Sequence, residues 1–456
     1  MHMLLRAAAI AALMAGSAAA ESSRGYAIVT SESTAADKDW QPVISALKAK
    51  YPHATAITYP DGKPAGALTA LRKARPRHAC FVTTPLEASR EFVTQVHQVT
   101  RRIDDDPYPD VIWGILTGHD AANALAIAKT NTPLTVERIA SGTDVELDAC
   151  TEGIWYCELE KHRMVRKTSG GTPVQSKGPG DTTRALADTL TDYKAQLFVT
   201  SGHATERNWQ IGFRYRNGYF ISKDGQLFGK DTENNTFPIK APETKIYMPI
   251  GNCLMGHIDG PDAMALAWMK SAGVHQMLGY TVPTWFGYAG WGCLDYFVEQ
   301  PGRYTFAEAV FANHNALIHR LETNFPTLAR EPLTQPNDAM KLRSKVTVSK
   351  TAEGNGLSAQ DGIGLLFDRD ALTFYGDPAW EARMAPGKRA YEQTLTEEDG
   401  VHTFTITPLL GVKSFDPVNV NGSQRGGRPV VAWFPKRLEN ITIISGSALL
   451  PVITDD

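Results

Sequence analysis

The sequence predicts an α/β protein: a mainly parallel sheet with helices on both faces, then a small C-terminal β-sandwich-like unit. Three observations predict it. From about Arg24 to Gly290, short apolar, β-branched runs alternate with stretches of helical spacing, the pattern of a parallel sheet covered by helices. Around Cys253 the chain reads strand, turn, helix, strand. From Gly356 onward the pattern shifts to short alternating runs with turn residues, such as HTFTITPLL, RPVVAWF and NITIISGSALLPVI, which suits antiparallel β structure.

Taken in order, Tyr26 to Thr30 reads as a strand, and Trp40 to Lys50 as a helix through Val43, Ile44 and Leu47. Strands follow at Ala54 to Tyr59, His78 to Thr84 and Asp110 to Leu116. Helices are expected over Ala65 to Ala74, Leu86 to Arg101 and Ala121 to Lys129. Lys167 to Asp181 is rich in Gly, Pro and Ser and reads as an exposed loop. Gln196 to Thr200, Lys245 to Ile250 and Val274 to Tyr280 are three further strands. Pro261 opens a helix over Ala263 to Ala272, and Gly273 stops it. Glu331 to Asn355 is polar and weakly patterned, a crossing towards the last unit.

The first residues do not read as fold. Arg6, the apolar run Ala7 to Met14 and the small residues up to Ala20 form an export leader, cut after Ala20 and too short to span a bilayer. The mature chain is therefore expected in the periplasm or outside the cell, with no membrane span. Net charge is −3 with the signs well mixed, so nucleic acid is not the expected partner. Of the five cysteines, Cys150 and Cys157 bracket TEGIWY, a segment that closes as a hairpin if they form a disulfide. Cys80, in ACFVTT, reads as a buried core thiol.

Two strand-like runs end in polar, Gly-containing corners: QLFVTSGHA, with His203, and KIYMPIGNC, with Cys253. Active sites of open parallel sheets gather at the carboxyl ends of strands. A Cys nucleophile needs a neighbour that lowers its pKa or takes its proton, and His does this and then protonates the leaving amine. Loop amides at the Cys corner suit an oxyanion.

These residues resemble a known family. FVTSGHATERNW is similar to the stretch around the catalytic His of gingipains, and PIGNCLMG to the strand-to-Cys corner of gingipains and the wider caspase-like clan. LGYTVPTWFGYAGWG resembles the strand and loop that follow, and LTFYGDPAWEARM the stretch that closes the gingipain catalytic region. The four occur in the same order and span Tyr26 to Trp380 in outline. The resemblance implies a caspase/gingipain-like fold and an exported cysteine-type endopeptidase acting on a peptide or protein substrate. His203 becomes the acid/base and Cys253 the nucleophile. The Ala204 and Cys253 amides become oxyanion donors, Trp285 a wall of the substrate pocket, and Glu206 an acid that polarises His203 or touches substrate. No cofactor is required; the resemblance allows a structural calcium ion. The C-terminal β unit corresponds to an immunoglobulin-like domain. The chain divides into a leader (1–20), the catalytic α/β region (21–355), and the end of that region with the β unit (356–456).

The chain departs from the family where Ala204 replaces Gly after the His and Asn252 replaces Ala before the Cys. These departures motivate a rival reading, an inactive relative that binds peptides or partners. A metal at Cys253 and His257 is disfavoured, because Gly256 and Gly260 break a helix there and no second ligand pair with zinc spacing follows. His119 reads as a helix-start residue with Asp120 as its cap. His314 and His319 are five apart and do not share a helix face.

Overall fold

The computed structural model describes residues 25–416, 428–434, 438, 441–449 and 452. The expected leader lies outside the described residues. Its centre is a twelve-stranded sheet, here numbered along the chain: β1 (Tyr26–Ser31), β2 (Thr55–Tyr59), β3 (His78–Val82), β4 (Ile112–Leu116), β5 (Arg138–Ser141), β6 (Glu152–Tyr156), β7 (Arg163–Lys167), β8 (Val174–Lys177), β9 (Leu197–Thr200), β10 (Lys245–Pro249), β11 (Val274–Tyr280) and β12 (Leu372–Tyr375). The strand order is β2-β1-β3-β4-β12-β11-β10-β9-β5-β6-β7-β8. Strands β2, β1, β3 and β4 are parallel neighbours, as are β11, β10, β9, β5 and β6. Strand β12 runs antiparallel to β11 and reaches β4 through one residue pair, Tyr375 with Ile115.

The strands are apolar because both faces are covered. Alternate residues of β9 and β10 divide between two cores: Phe198 and Tyr247 enter one, and Leu197, Val199, Ile246 and Met248 the other. On the first face Phe198 packs on Trp268 of the helix Met264–Ser271, ring centroids 5.4 Å apart. On the second, Phe374 packs on Phe306 of the helix Phe306–Asn324 at 5.4 Å. That long helix starts at a capping box in which Thr305 and Glu308 satisfy each other's backbone N–H.

Most expected elements form within a residue or two, including Val274–Tyr280 and the Asp120 cap, whose carboxylate accepts from Asn123 N–H. Pro261 precedes its helix rather than opening it, since Ala263 is the N-cap. The exposed loop 167–181 contains the edge strand β8. The weakly patterned 331–355 stretch holds a 3-10 helix (Pro336–Lys345) and a short α-helix (Lys350–Gly354).

Two expectations are corrected. Cys150 and Cys157 are free thiols. TEGIWY is not a hairpin but the extended strand β6, with one cysteine beyond each end. At ~3.3 Å per residue the two lie well beyond the ~7 Å Cα limit for a disulfide. The helix Ala359–Asp368 leads into β12, next to β11 in the middle of the sheet, so the end of the α/β region lies within 356–456. Last, no β-sandwich forms among the described residues. HTFTITPLL supplies one strand of a two-stranded hairpin, Tyr391–Glu398 with Val401–Pro408. RPVVAWF lies as a strap on the α/β region, where Tyr296 and Tyr304 hydroxyls donate to the carbonyls of Pro429 and Val431 and Trp433 packs on Phe311. Part of NITIISGSALLPVI falls outside the described residues; the rest forms no strand.

No helix among the described residues is long and apolar enough to cross a membrane.

Candidate active site

Parallel neighbours β9 and β10 carry His203 and Cys253 to the same rim, in the register Thr200 opposite Pro249. The Ile250 N–H donates to the Thr200 carbonyl at 2.9 Å, so pairing continues one residue past the end of β10. Arg90, which opens the helix Arg90–Thr100 after β3, donates to the Thr281 carbonyl just after β11 at 2.7 Å, bringing the other half of the sheet to this rim.

At the His corner, Gly202 sits at φ 92°, where a side chain would strain the backbone. A β-carbon there would also meet Glu158 Oε2 at 3.3 Å. Ser201 Oγ lies 2.9 and 2.8 Å from the two Glu158 carboxylate oxygens, and Thr143 Oγ1 donates to Oε1 at 2.8 Å. Trp209 Nε1 donates to the Ser201 carbonyl at 2.8 Å, which gives the Trp of the FVTSGHATERNW motif its role. The chain then doubles back, with Gln210 N–H on the His203 carbonyl at 2.9 Å. The His203 imidazole is exposed and packs on Phe213, centroids 4.8 Å apart and planes 30° from parallel. Among the described residues it makes no hydrogen bond, so it does not bond the thiol in this conformation.

At the Cys corner, Leu254 adopts φ 61°, unusual for a residue with a β-carbon and a mark of an over-determined turn. Leu254 N–H donates to the Val282 carbonyl and Gly256 N–H to that of Tyr280, stitching the loop to the end of β11. Cys253 is partly exposed, and its sulfur accepts the Thr284 N–H at 3.2 Å. Between the corners stands Asn252, fully buried, bonded to Thr200 Oγ1 at 2.6 Å and to the Gly202 carbonyl at 3.0 Å. The other four cysteines are buried. Burial pushes the thiols of Cys80, Cys150 and Cys157 up, and that of Cys293 to about 12.

The remaining predicted residues divide. Ala204 faces Trp209 in an isolated bridge, and among the described residues neither its N–H nor that of Cys253 has an acceptor, so both remain available to an oxyanion. Trp285 is 65% exposed and follows Thr284, beside the sulfur. The Glu206 carboxylate lies 3.5 Å from His257 Nδ1, and among the described residues it makes no hydrogen bond or ion pair with His203. Arg90 approaches the same nitrogen at 3.3 Å, and burial, then Arg90, push the His257 pKa down. Sequence reasoning missed Glu158, Phe213 and Thr284. Only Thr284 carried a signal, its place in the loop already compared with gingipains.

Among the described residues, Asp104, Asp106 and Asp110 are the group that could hold a metal ion, with oxygens within 4.8 Å of one another. Three backbone N–H groups of the loop already donate to these carboxylates.

Comparison with family models, with curated proteins and with solved structures found no match.

Proposed function

We propose that the chain is an exported cysteine endopeptidase of the gingipain and caspase-like kind, with Cys253 as nucleophile and His203 as acid/base. The observation that carries the reading is the pair of corners on adjacent parallel strands, clamped together by Asn252, with Thr284 N–H on the sulfur. His203 takes the thiol proton. The thiolate attacks the peptide carbonyl carbon, and the carbonyl oxygen becomes an oxyanion facing the Ala204 and Cys253 N–H groups. The C–N bond breaks as the imidazolium returns the proton to the leaving amine, leaving a thioester. Water, deprotonated by His203, then releases the acid and restores the thiol. Trp285 and Phe213 offer exposed aromatic surface on either side for substrate side chains.

The packing of His203 on Phe213, without a bond to the sulfur, favours a second reading, a peptide-binding relative that does not cleave. Incubating the chain under reducing conditions with a mixed peptide library and an iodoacetamide probe separates the two. The peptidase reading expects cut peptides, preferential labelling of Cys253, and loss of both in Cys253→Ala. Binding without cleavage, and Cys253 labelled no faster than a free thiol, would leave only the second.

A further inference from the structure

The geometry points to Asn252 as the residue that holds His203 and Cys253 in register, a positioning residue for the chemistry proposed above, on which this inference rests. Asn252 Oδ1 accepts from Thr200 Oγ1 at 2.6 Å, and Thr200 Oγ1 lies 2.8 Å from the Tyr247 hydroxyl. Tyr247 is buried, which pushes its pKa up and keeps its proton in place. The Gly202 carbonyl can only accept, which puts the Asn252 Nδ2 on that side and Oδ1 towards Thr200. The one Thr200 proton therefore goes to Oδ1, and the phenol is left to donate to Thr200. The other end, Nδ2, donates to the Gly202 carbonyl at 3.0 Å.

One side chain, next to the nucleophile, thus grips the His-bearing segment at the strand end and at the peptide just before His203. Gly202 has no side chain of its own to lock that peptide, and its φ of 92° leaves the carbonyl as the handle. The Asn252 main chain serves the other side. Its carbonyl accepts Thr284 Oγ1 at 3.0 Å, which sets the Thr284 N–H against the sulfur at 3.2 Å. Three loops meet at this residue. Alanine would strip the Thr200 hydroxyl and Gly202 carbonyl of their partner. Aspartate would keep an acceptor for Thr200 but set oxygen against the Gly202 carbonyl oxygen.

The test compares the wild-type chain with Asn252→Ala, Asn252→Asp and Thr200→Val. Cleavage is normalised to titrated thiol, iodoacetamide labelling of Cys253 is followed against pH, and folding is monitored by circular dichroism. Asn252→Ala and Asn252→Asp are expected to lose roughly 10–100-fold in kcat, the scale of a small misplacement, with KM nearly unchanged. Their profile of Cys253 labelling against pH should depart from that of the wild-type chain, a change that loss of stability alone does not produce. Thr200→Val, which cuts one of the two links, should move both readouts the same way by less. It carries the test if the Asn252 variants do not fold, and unchanged kcat and labelling in it would then overturn the inference. Folded Asn252→Ala with wild-type kcat and pH profile overturns the inference and leaves the peptidase reading standing. A wild-type chain that neither cleaves nor labels preferentially at Cys253 overturns both.

Discussion

Asp377, in the LTFYGDPAWEARM stretch, is expected to be among the residues the fold can least lose. It is 1% exposed. Oδ1 accepts from the Tyr26 hydroxyl at 2.9 Å and the Ala379 N–H at 3.0 Å; Oδ2 accepts from Lys50 Nζ at 2.8 Å and the Tyr51 hydroxyl at 2.7 Å. The carboxylate thereby ties the turn after β12 to β1 and to the helix that carries Lys50. Asp377→Ala strands a largely buried ammonium and two phenols, and breaking a buried pair from one side costs ~3–5 kcal/mol. With an unfolding entropy of ~2.1 cal/mol/K per residue and about 400 residues unfolding together, that is a fall of roughly 5 °C in apparent Tm. Differential scanning fluorimetry on wild type, Asp377→Ala, Lys50→Met and the double variant measures it. The double variant should recover part of the loss, because no lone charge remains in the core. A single-variant shift below about 1 °C, or strictly additive effects in the double variant, would refute the claim that the ion pair matters.

Stability should fall on acidification through the burial of His97. Burial pushes its pKa from 6.5 to about 4, with Arg101 adding to the effect against Asp370. The unfolded state then binds the extra proton, so stability is full above about 6.5 and declines towards 4, by ~3 kcal/mol for this group. His97→Gln, whose amide can still donate to the Leu372 carbonyl, should flatten that slope in pH-dependent urea melts; an unchanged slope would count against the assignment. Gly273→Ala should destabilise by ~2 kcal/mol or more, as read from the denaturation midpoint, since it combines a left-handed φ with overpacking. Gly273 has φ 65°, and an added β-carbon would meet the carbonyl oxygens of Glu243, Pro242 and Ala241 at 2.5–2.8 Å. Trp285→Ala should leave the thermal midpoint almost unchanged, because the side chain is 65% exposed, yet lower kcat/KM about tenfold if it walls the substrate pocket. Unaltered kinetics would remove it from the site.

Sequence alone determined the features that depend on near neighbours. Apolar runs such as LFVT and KIYMP had to be strands buried on both faces, Gly273 had to end a helix, and Asp120 had to cap one, because these rest on local periodicity, φ preference and short-range hydrogen bonds. It also marked the two polar corners, since a Gly-bearing turn after a buried strand is a local pattern. Tertiary structure decided what lies beside what. Only the strand order made the corners of His203 and Cys253 neighbours and put β12 beside β11 in the middle of the sheet. It drew β6 straight and so kept Cys150 from Cys157, turned Glu206 to His257, and brought Glu158, 43 residues back along the chain, under Ser201. Such pairings follow from how whole elements pack to bury their apolar faces. No short window of sequence carries that information, because the partners lie tens to hundreds of residues apart.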